Sequence, residues 1–586
     1  MTNSKSIAVL PFVNTGNNPD NDYFSDGLTE EIINALTKIP GLKVTARTSS
    51  FAFKNIHKDI REIGAALNVA LILEGSIRTA KNNIRITTQL IRTTDGFTLW
   101  SETFNRQLVE IFELQDEISL LIADKIRENY GHLYVEEHLS NINTKNVQAY
   151  QHYLKGKEYY NHWNMPGFAN AAREYEKSIA KDPMFDLPYF GAGLSYSFLG
   201  SWGTMDKTEA FERATRFFNS GNNLNIESYF RYYSIAKHLF WGLWQFNKAY
   251  DSLYKAYQMV PQDAATNEFM SEINALFGNF ITAKKYIDTS LQINPLSATH
   301  YYTKAQILFL QNQHKEAIKV LEKGMLVAPT FSISHELHVS CAILLGDETK
   351  FTEALKNFNP DLAELFTAIY QMVNHRQDFN HELLQKAYAA KTTPLLAWDL
   401  YVLVQQNKLN EALHLLQKKV DNRMGQVLYL KYDPWLKPLH GHETFREIVR
   451  KISPQNSILT TTSTKSNSSK LTPEEANQYA GKLYALMETE KMYLDPKLGL
   501  KDLAKSVGLH PNKLSWLLNE TINKNFYEFV NNYRLKDFQE KAVNENNKHL
   551  SILGLALESG FNSKSVFNDF FKKVVGQTPK DWLKQQ

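Results

Sequence analysis

Cysteine is almost absent from this 586-residue, 67.4 kDa chain, where Cys341 stands alone. One thiol excludes an intramolecular disulfide framework and a thiolate-clustered zinc site. It reads as a small buried hydrophobe. Long apolar runs are also lacking. No stretch approaches the ~18 apolar residues that a membrane-spanning helix needs, and Met1 to Phe12 has no apolar signal-peptide core. The expectation is a cytoplasmic protein with no membrane partner. Neither sign of charge dominates: 65 Lys+Arg face 62 Asp+Glu, a formal net of +3. A nucleic-acid surface must then be local rather than global. What is present, 43% hydrophobic and 22% charged residues, is ordinary for a globular protein. At ~100–200 residues per domain the length predicts three or four domains.

Residues 1–131 alternate strand and helix signals. Ile7 to Phe12 is a short apolar run closed by the polar stretch Asn14 to Asn21, so a buried strand and a loop. Leu28, Ile32, Ile33 and Leu36 follow at helical spacing. Ser25 or Asp26 is placed to cap that helix, and Pro40-Gly41 stops it. Leu42 to Ala46 reads as a strand, and Asp59 caps a second helix carrying Ile60, Ile63 and Leu67. Leu71 to Ile77 is a strand. Ile84, Ile86, Thr88 and Leu90 alternate as a half-exposed one, Asp95-Gly96 turns, and Thr98 to Phe104 pairs back. A last helix runs from Val109 to Glu128. The domain is α/β.

Residues 146–452 carry no strand alternation and do carry a repeat. Ala249, Ala283 and Ala317 stand 34 residues apart, each followed twelve residues on by Pro261, Pro295 or Pro329. Leu253, Ile287 and Leu321 lie four residues after each alanine, and the small Ala256, Ser290 and Gly324 seven after. Ala171, Tyr175, Ser178 and Pro183 obey the same rule. This segment resembles the tetratricopeptide (TPR) repeat family. Small residues let two antiparallel helices approach closely, the proline ends the second helix, and each pair must be covered by its neighbour. The family's first-helix Trp is replaced, for example by Tyr301. Beyond Pro329 the register blurs, with Ala354 and Ala412 expected to open similar helices.

Residues 453–470 are rich in Ser, Thr and Asn and are expected to be a flexible linker. Residues 471–586 read as helical. Leu500 to Leu518 has helix-turn-helix spacing: Ala504 is small at the crossing, Gly508 supplies a turn, and Val507, Leu509, Leu514 and Leu517 form a shared core. A second copy follows 52 residues on, with Ala556 and Gly560, then Val566, Phe567 and Phe570. One long helix, Phe526 to Asn544, joins them. The pair, ended by Gly576-Gln577-Thr578-Pro579, resembles the AraC/XylS transcription-factor family, and Gly560 to Ser565 with Phe567 resembles its second-motif signature. That resemblance implies two second helices in adjacent major-groove segments of double-stranded DNA. Carried over by position, the base-facing candidates are Asn512, Lys513, Ser515 and Trp516, then Asn562, Ser563, Lys564, Ser565 and Asn568. Lys572, Lys573 and Lys580 are candidate phosphate contacts. The domain holds 16 basic against 14 acidic residues, and Asp569 would oppose a phosphate. Modest affinity per monomer, raised by dimerisation, is therefore expected.

Ser6 to Phe12, Tyr23 to Glu31, Ile39 to Val44 and Leu73 to Ser76 resemble the TolB N-terminal-like domain, which implies sensing or docking. Asp433 to Leu439 resembles the end of arrays that follow such domains. Arg47, Thr48, Ser49 and Ser50 follow a strand end, where α/β folds often place ligands, but a polar loop is the preferred reading. Gly191-Ala192-Gly193 starts like a dinucleotide loop, but Tyr196 replaces the last glycine, so close helix packing explains it. His335-Glu336-Leu337-His338 is one residue short of the zinc-protease spacing, and His440-Gly441-His442 lacks a partner cluster. No catalytic set, metal site or cofactor site is expected. The chain reads as multidomain: an N-terminal α/β domain, an all-α TPR solenoid and an all-α double helix-turn-helix domain. Its expected function is sequence-specific transcriptional regulation, not catalysis, with a protein, a peptide or a second copy of the chain (a homodimer) on the array. The rivals are an interaction scaffold without DNA binding and a nucleotide-linked enzyme in residues 1–131.

Overall fold

The computed structural model describes residues 5–16, 22–80, 82–135, 139, 142–201, 205–389, 395–452, 471–547 and 549–586. The expected linker, 453–470, lies outside them. At the N-terminus the strands β1 (Ser6–Val9), β2 (Val13–Asn14), β3 (Lys43–Val44), β4 (Leu71–Ala80), β5 (Asn83–Arg92) and β6 (Thr98–Gln107) form one mixed sheet in the order β3-β1-β4-β5-β6, with β2 beside β4. β1 runs parallel to β3 and β4, and β4, β5 and β6 form an antiparallel meander. The alternation seen along β5 is real: Ile84, Ile86, Thr88 and Leu90 all point into the core. Helices α1 (Asp22–Thr37), α2 (Arg47–Phe51), α3 (Ile60–Leu67) and α4 (Ile111–Tyr130) complete the domain.

Two expectations fail here. The first helix starts at Asp22, so Ser25 and Asp26 are inside it and cap nothing. Ser25 is buried, and its carbonyl accepts from Thr29 Oγ1 one turn on. Residues 47–50 are not a loop but helix α2, and Ser49 is buried where the α/β domain meets the array. Its hydroxyl donates to Asn294 Oδ1 and accepts from Leu296 N–H at 2.8 Å. The Asp59 cap on α3 is present, the carboxylate accepting from Arg61 N–H at 2.8 Å.

The array follows as antiparallel helix pairs. The second helices Phe246–Met259, Phe280–Ile293 and His314–Val327 begin 34 residues apart, as do the first helices Ala264–Leu276, Ala298–Leu310 and Ser332–Leu345. The repeat residues do what their size predicts. Ala249, Ala283, Ala317, Leu253, Ile287 and Leu321 are fully buried. Ser290 Oγ donates to Ala264 O at 2.7 Å, and Ser178 Oγ to Ala149 O at 2.7 Å, so the small position also ties the pair together. A Cβ on Gly324 would meet Tyr301 Cβ at 2.7 Å. Gly191 and Gly193 serve the same close packing, against the rings of Tyr175 and Phe218. Ala412 keeps its place near the start of Leu409–Asp421, but Ala354 stands at the end of the short helix Glu348–Leu355 rather than opening it. Asp433 to Leu439 closes the array. Trp435 is fully buried, stacks on Tyr401 (5.2 Å, 9°) and donates to Ser340 Oγ at 2.7 Å.

The α/β domain and the array share one apolar core, in which Leu28, Ile32 and Ile122 are continuous with Tyr150, Leu154 and Tyr175. An ion cluster sits in the same junction. Lys157 Nζ lies 2.9 Å from Glu30 and 2.7 Å from Glu31, with all three side chains 13–15% exposed. Burial pushes Glu30 up, but Lys157 and Arg47 overcome it and hold the carboxyl below its ordinary value. A cavity of about 2040 Å³ opens between this junction and the inner face of the array. Its walls include Lys157, Lys237, Glu268, Glu272 and His300. The segment around Tyr429 enters the same space, its hydroxyl donating to Glu272 O at 3.3 Å.

Candidate nucleic-acid interface

In the C-terminal domain the first motif pairs Leu500–Val507 with Pro511–Trp516, and the second pairs Ile552–Glu558 with Lys564–Val575. Phe526–Ala542 connects them. Each motif has its own core: Leu503, Ala504, Val507, Leu514 and Leu517 in one, Ala556, Phe567, Phe570 and Phe571 in the other. The two turn glycines are required for different reasons. Gly508 (φ +79) and Gly560 (φ +90) both adopt the left-handed conformation. At Gly560 a Cβ would also strike Tyr493 O at 2.2 Å. Arg534 of the connecting helix ties down the segment that leads into the first motif, donating to Tyr493 O and Asp495 O at 2.7 Å each. Burial lowers its pKa to about 10.

In the second motif the candidate residues differ in exposure. Asn562, Lys564, Ser565 and Lys572 are exposed, and Asn568 is half-buried. Ser563 is the N-cap of Lys564–Val575, its hydroxyl accepting from Val566 N–H at 3.3 Å. Lys573 pairs with Glu528 of the connecting helix at 2.8 Å, and Asp569 faces Arg92 of β5 at 3.8 Å. At that distance and exposure the second pair contributes little.

The first motif departs from expectation. Asn512 (4% exposed) and Ser515 (2%) are buried, and Lys513 and Trp516 are half-buried. The cover over Asn512 is helix α4 of the α/β domain and the segment that follows it. Asn512 Oδ1 accepts from Arg127 Nη1 at 2.7 Å and from Val135 N–H at 3.2 Å, and its Nδ2 donates to Val135 O at 3.0 Å. Next to it Glu128 Oε1 accepts from Leu500 N–H at 3.0 Å, Asp124 pairs with Lys501 at 2.8 Å, and Asn525 donates to Asn129 O. Sequence reasoning missed Asp124, Arg127, Glu128 and Val135. Three of these are charged and one turn apart on α4, a pattern that normally marks a solvated helix face. Among the described residues no group of His, Cys, Asp and Glu could hold a metal ion, and no helix is long and apolar enough to cross a membrane.

Residues 503–585 match a family model described as a helix-turn-helix domain. Residues 3–121 match the second domain of HilA/YgeH-like transcriptional regulators, so both matches support DNA-binding transcriptional regulation. Over 122 residues the chain is 49% identical to the putative adenylate cyclase 3 of Rhizobium meliloti (strain 1021), which covers 21% of each chain. The chain thus spans about a fifth of that curated relative. Solved structures similar to it include a human IFIT1 dimer with m7Gppp-AAAA (15% identity, 51% of this chain and 70% of that one, TM-score 0.36). Yeast Tom70 is another (15% identity, 59% and 78%, TM-score 0.30).

Proposed function

We propose that the chain is a sequence-specific transcriptional regulator whose AraC-type domain reads the major groove with both second helices. One observation carries this: an exposed polar face of Asn562, Lys564, Ser565 and Lys572 on a motif that duplicates another 52 residues earlier. Amide, hydroxyl and ammonium groups are the ones that read base edges and guanine acceptors. Lys572 and Lys573 take phosphates in this reading and set register rather than sequence. The array receives a protein, a peptide or a second copy of the chain on its inner face, where the cavity lies. The α/β domain senses or docks, a role its TolB-like residues support, and the site of action is the cytoplasm. No bound cofactor enters this reading.

The test is selection of duplexes from a random 40-base-pair pool by the full chain, followed by binding at several salt concentrations. The reading predicts enrichment of a defined sequence and affinity that falls linearly on a log–log salt plot. No enrichment and no salt dependence would favour a scaffold instead. Nucleotide turnover by the full chain would favour the enzyme rival.

A further inference from the structure

The carboxamide of Asn512 is a base-reading candidate because an Asn side chain matches the major-groove edge of adenine, one donor (N6–H) beside one acceptor (N7). In this structure the peptide group of Val135 offers it the same pair: an N–H at 3.2 Å from Oδ1 and a C=O at 3.0 Å from Nδ2. We propose that Val135 is an internal stand-in for an adenine edge, so that the α/β domain and an A·T base pair compete for Asn512. The inference rests on the reading of Asn512 as a base-contacting residue.

The surroundings are built for this exchange. Arg127, 2% exposed, adds a charge-assisted bond to Asn512 Oδ1 and is itself held by Asp124. Leu500 is the first helical residue of the first motif, and the Gly499 before it has no side chain with which to cap the free amides. Glu128 from α4 supplies the missing acceptor at Leu500 N–H. Lys501, a cation in the first turn of the motif, is neutralised by Asp124. Helix α4 and the segment that follows it thus give the first motif a base-edge pattern, a helix cap and an anion. A duplex offers base edges and phosphates to the same kinds of group. The contact is polar, whereas the α/β domain and the array share an apolar core. A polar contact can be exchanged for DNA without exposing a large apolar surface.

The experiment uses the full chain and a duplex it selects from the random pool. Arg127→Ala, which removes a charged bond from the closed form and no DNA contact, is expected to tighten binding on the order of tenfold. Asn512→Ala loses both partners and is expected to weaken it. Amide exchange at Val135 in the wild-type chain is the second measurement, independent of how the variants fold. It should accelerate when the selected duplex is saturating. Unchanged or weaker binding by folded Arg127→Ala, or a Val135 amide equally protected with duplex bound, overturns the proposal. If no chain selects or binds any duplex, the DNA-binding reading itself fails, and the proposal with it.

Discussion

Lys157→Met would test the junction between the α/β domain and the array. The substitution keeps an apolar stem of similar length but removes the one cation shared by Glu30 and Glu31, 2.9 and 2.7 Å away. Removing one partner of a buried ion cluster leaves uncompensated charge, a loss of about 3–5 kcal/mol. The low exposure of all three side chains puts this site in that class rather than among surface pairs. The pH dependence gives a sharper check. In the native chain Glu30 sits below its ordinary value, so its contribution is present above about pH 4.5 and is lost as pH falls through the folded value. In Lys157→Met burial is opposed by Arg47 and Asn161, and the Glu30 carboxyl moves up. The variant's deficit should therefore be largest at pH 8 and shrink towards pH 5. Adding Glu31→Gln should restore most of the stability, because Arg47 still pairs with Glu30 at 2.9 Å and a neutral buried cluster is often no worse than the original one. Urea unfolding at both pH values, with amide exchange followed on α1 and Val147–Asn161, measures all of this. A deficit under about 1 kcal/mol, or one that grows on acidification, would refute the reasoning.

Three further outcomes are expected. Lys564→Ala should lose about 1–3 kcal/mol of discrimination between operators, while Lys573→Ala should weaken all duplexes alike and reduce the salt slope by about 0.9; equal loss of discrimination in both contradicts the roles. Trp435→Ala should cost about 3–5 kcal/mol, felt mostly in the last repeats because neighbours carry a solenoid's cooperativity, and exchange spreading evenly over residues 146–452 would count against it. His132 has its pKa lowered to about 4 by burial and by the nearby Lys5 and Arg127 cations. Charging it is unfavourable in the folded chain, so stability present above its ordinary value of about 6.5 should be lost as pH falls towards 4. Val135 exchange, corrected for its intrinsic pH dependence, follows this, and protection that is flat across that window would exclude it.

Period and turn chemistry were legible in the sequence because each is a local constraint. Ala249, Ala283 and Ala317 had to be small wherever two helices cross, and Gly508 and Gly560 had to tolerate positive φ. What the sequence did not reveal depends on partners far along the chain. Ser25 looks like a cap until Asp22 proves to begin the helix. Residues 47–50 look like a loop until Asn294 and Leu296 are brought against Ser49. Asn512 looks like an exposed reader until a segment 377 residues away folds over it. Composition cannot anticipate that last contact, since Asp124, Arg127 and Glu128 carry the same charges whether water or another domain meets them.

The contrast between the two junctions assigns the moving part. Because the α/β domain is welded to the solenoid through hydrocarbon and a shielded lysine, it cannot swing aside alone without wetting that seam. The C-terminal domain keeps both of its own cores and touches its neighbour through polar groups. Any signal that frees the first motif therefore acts by letting the C-terminal domain depart from a fixed platform, and a ligand lodged in the solenoid's interior would have to work by deforming that platform's edge at α4.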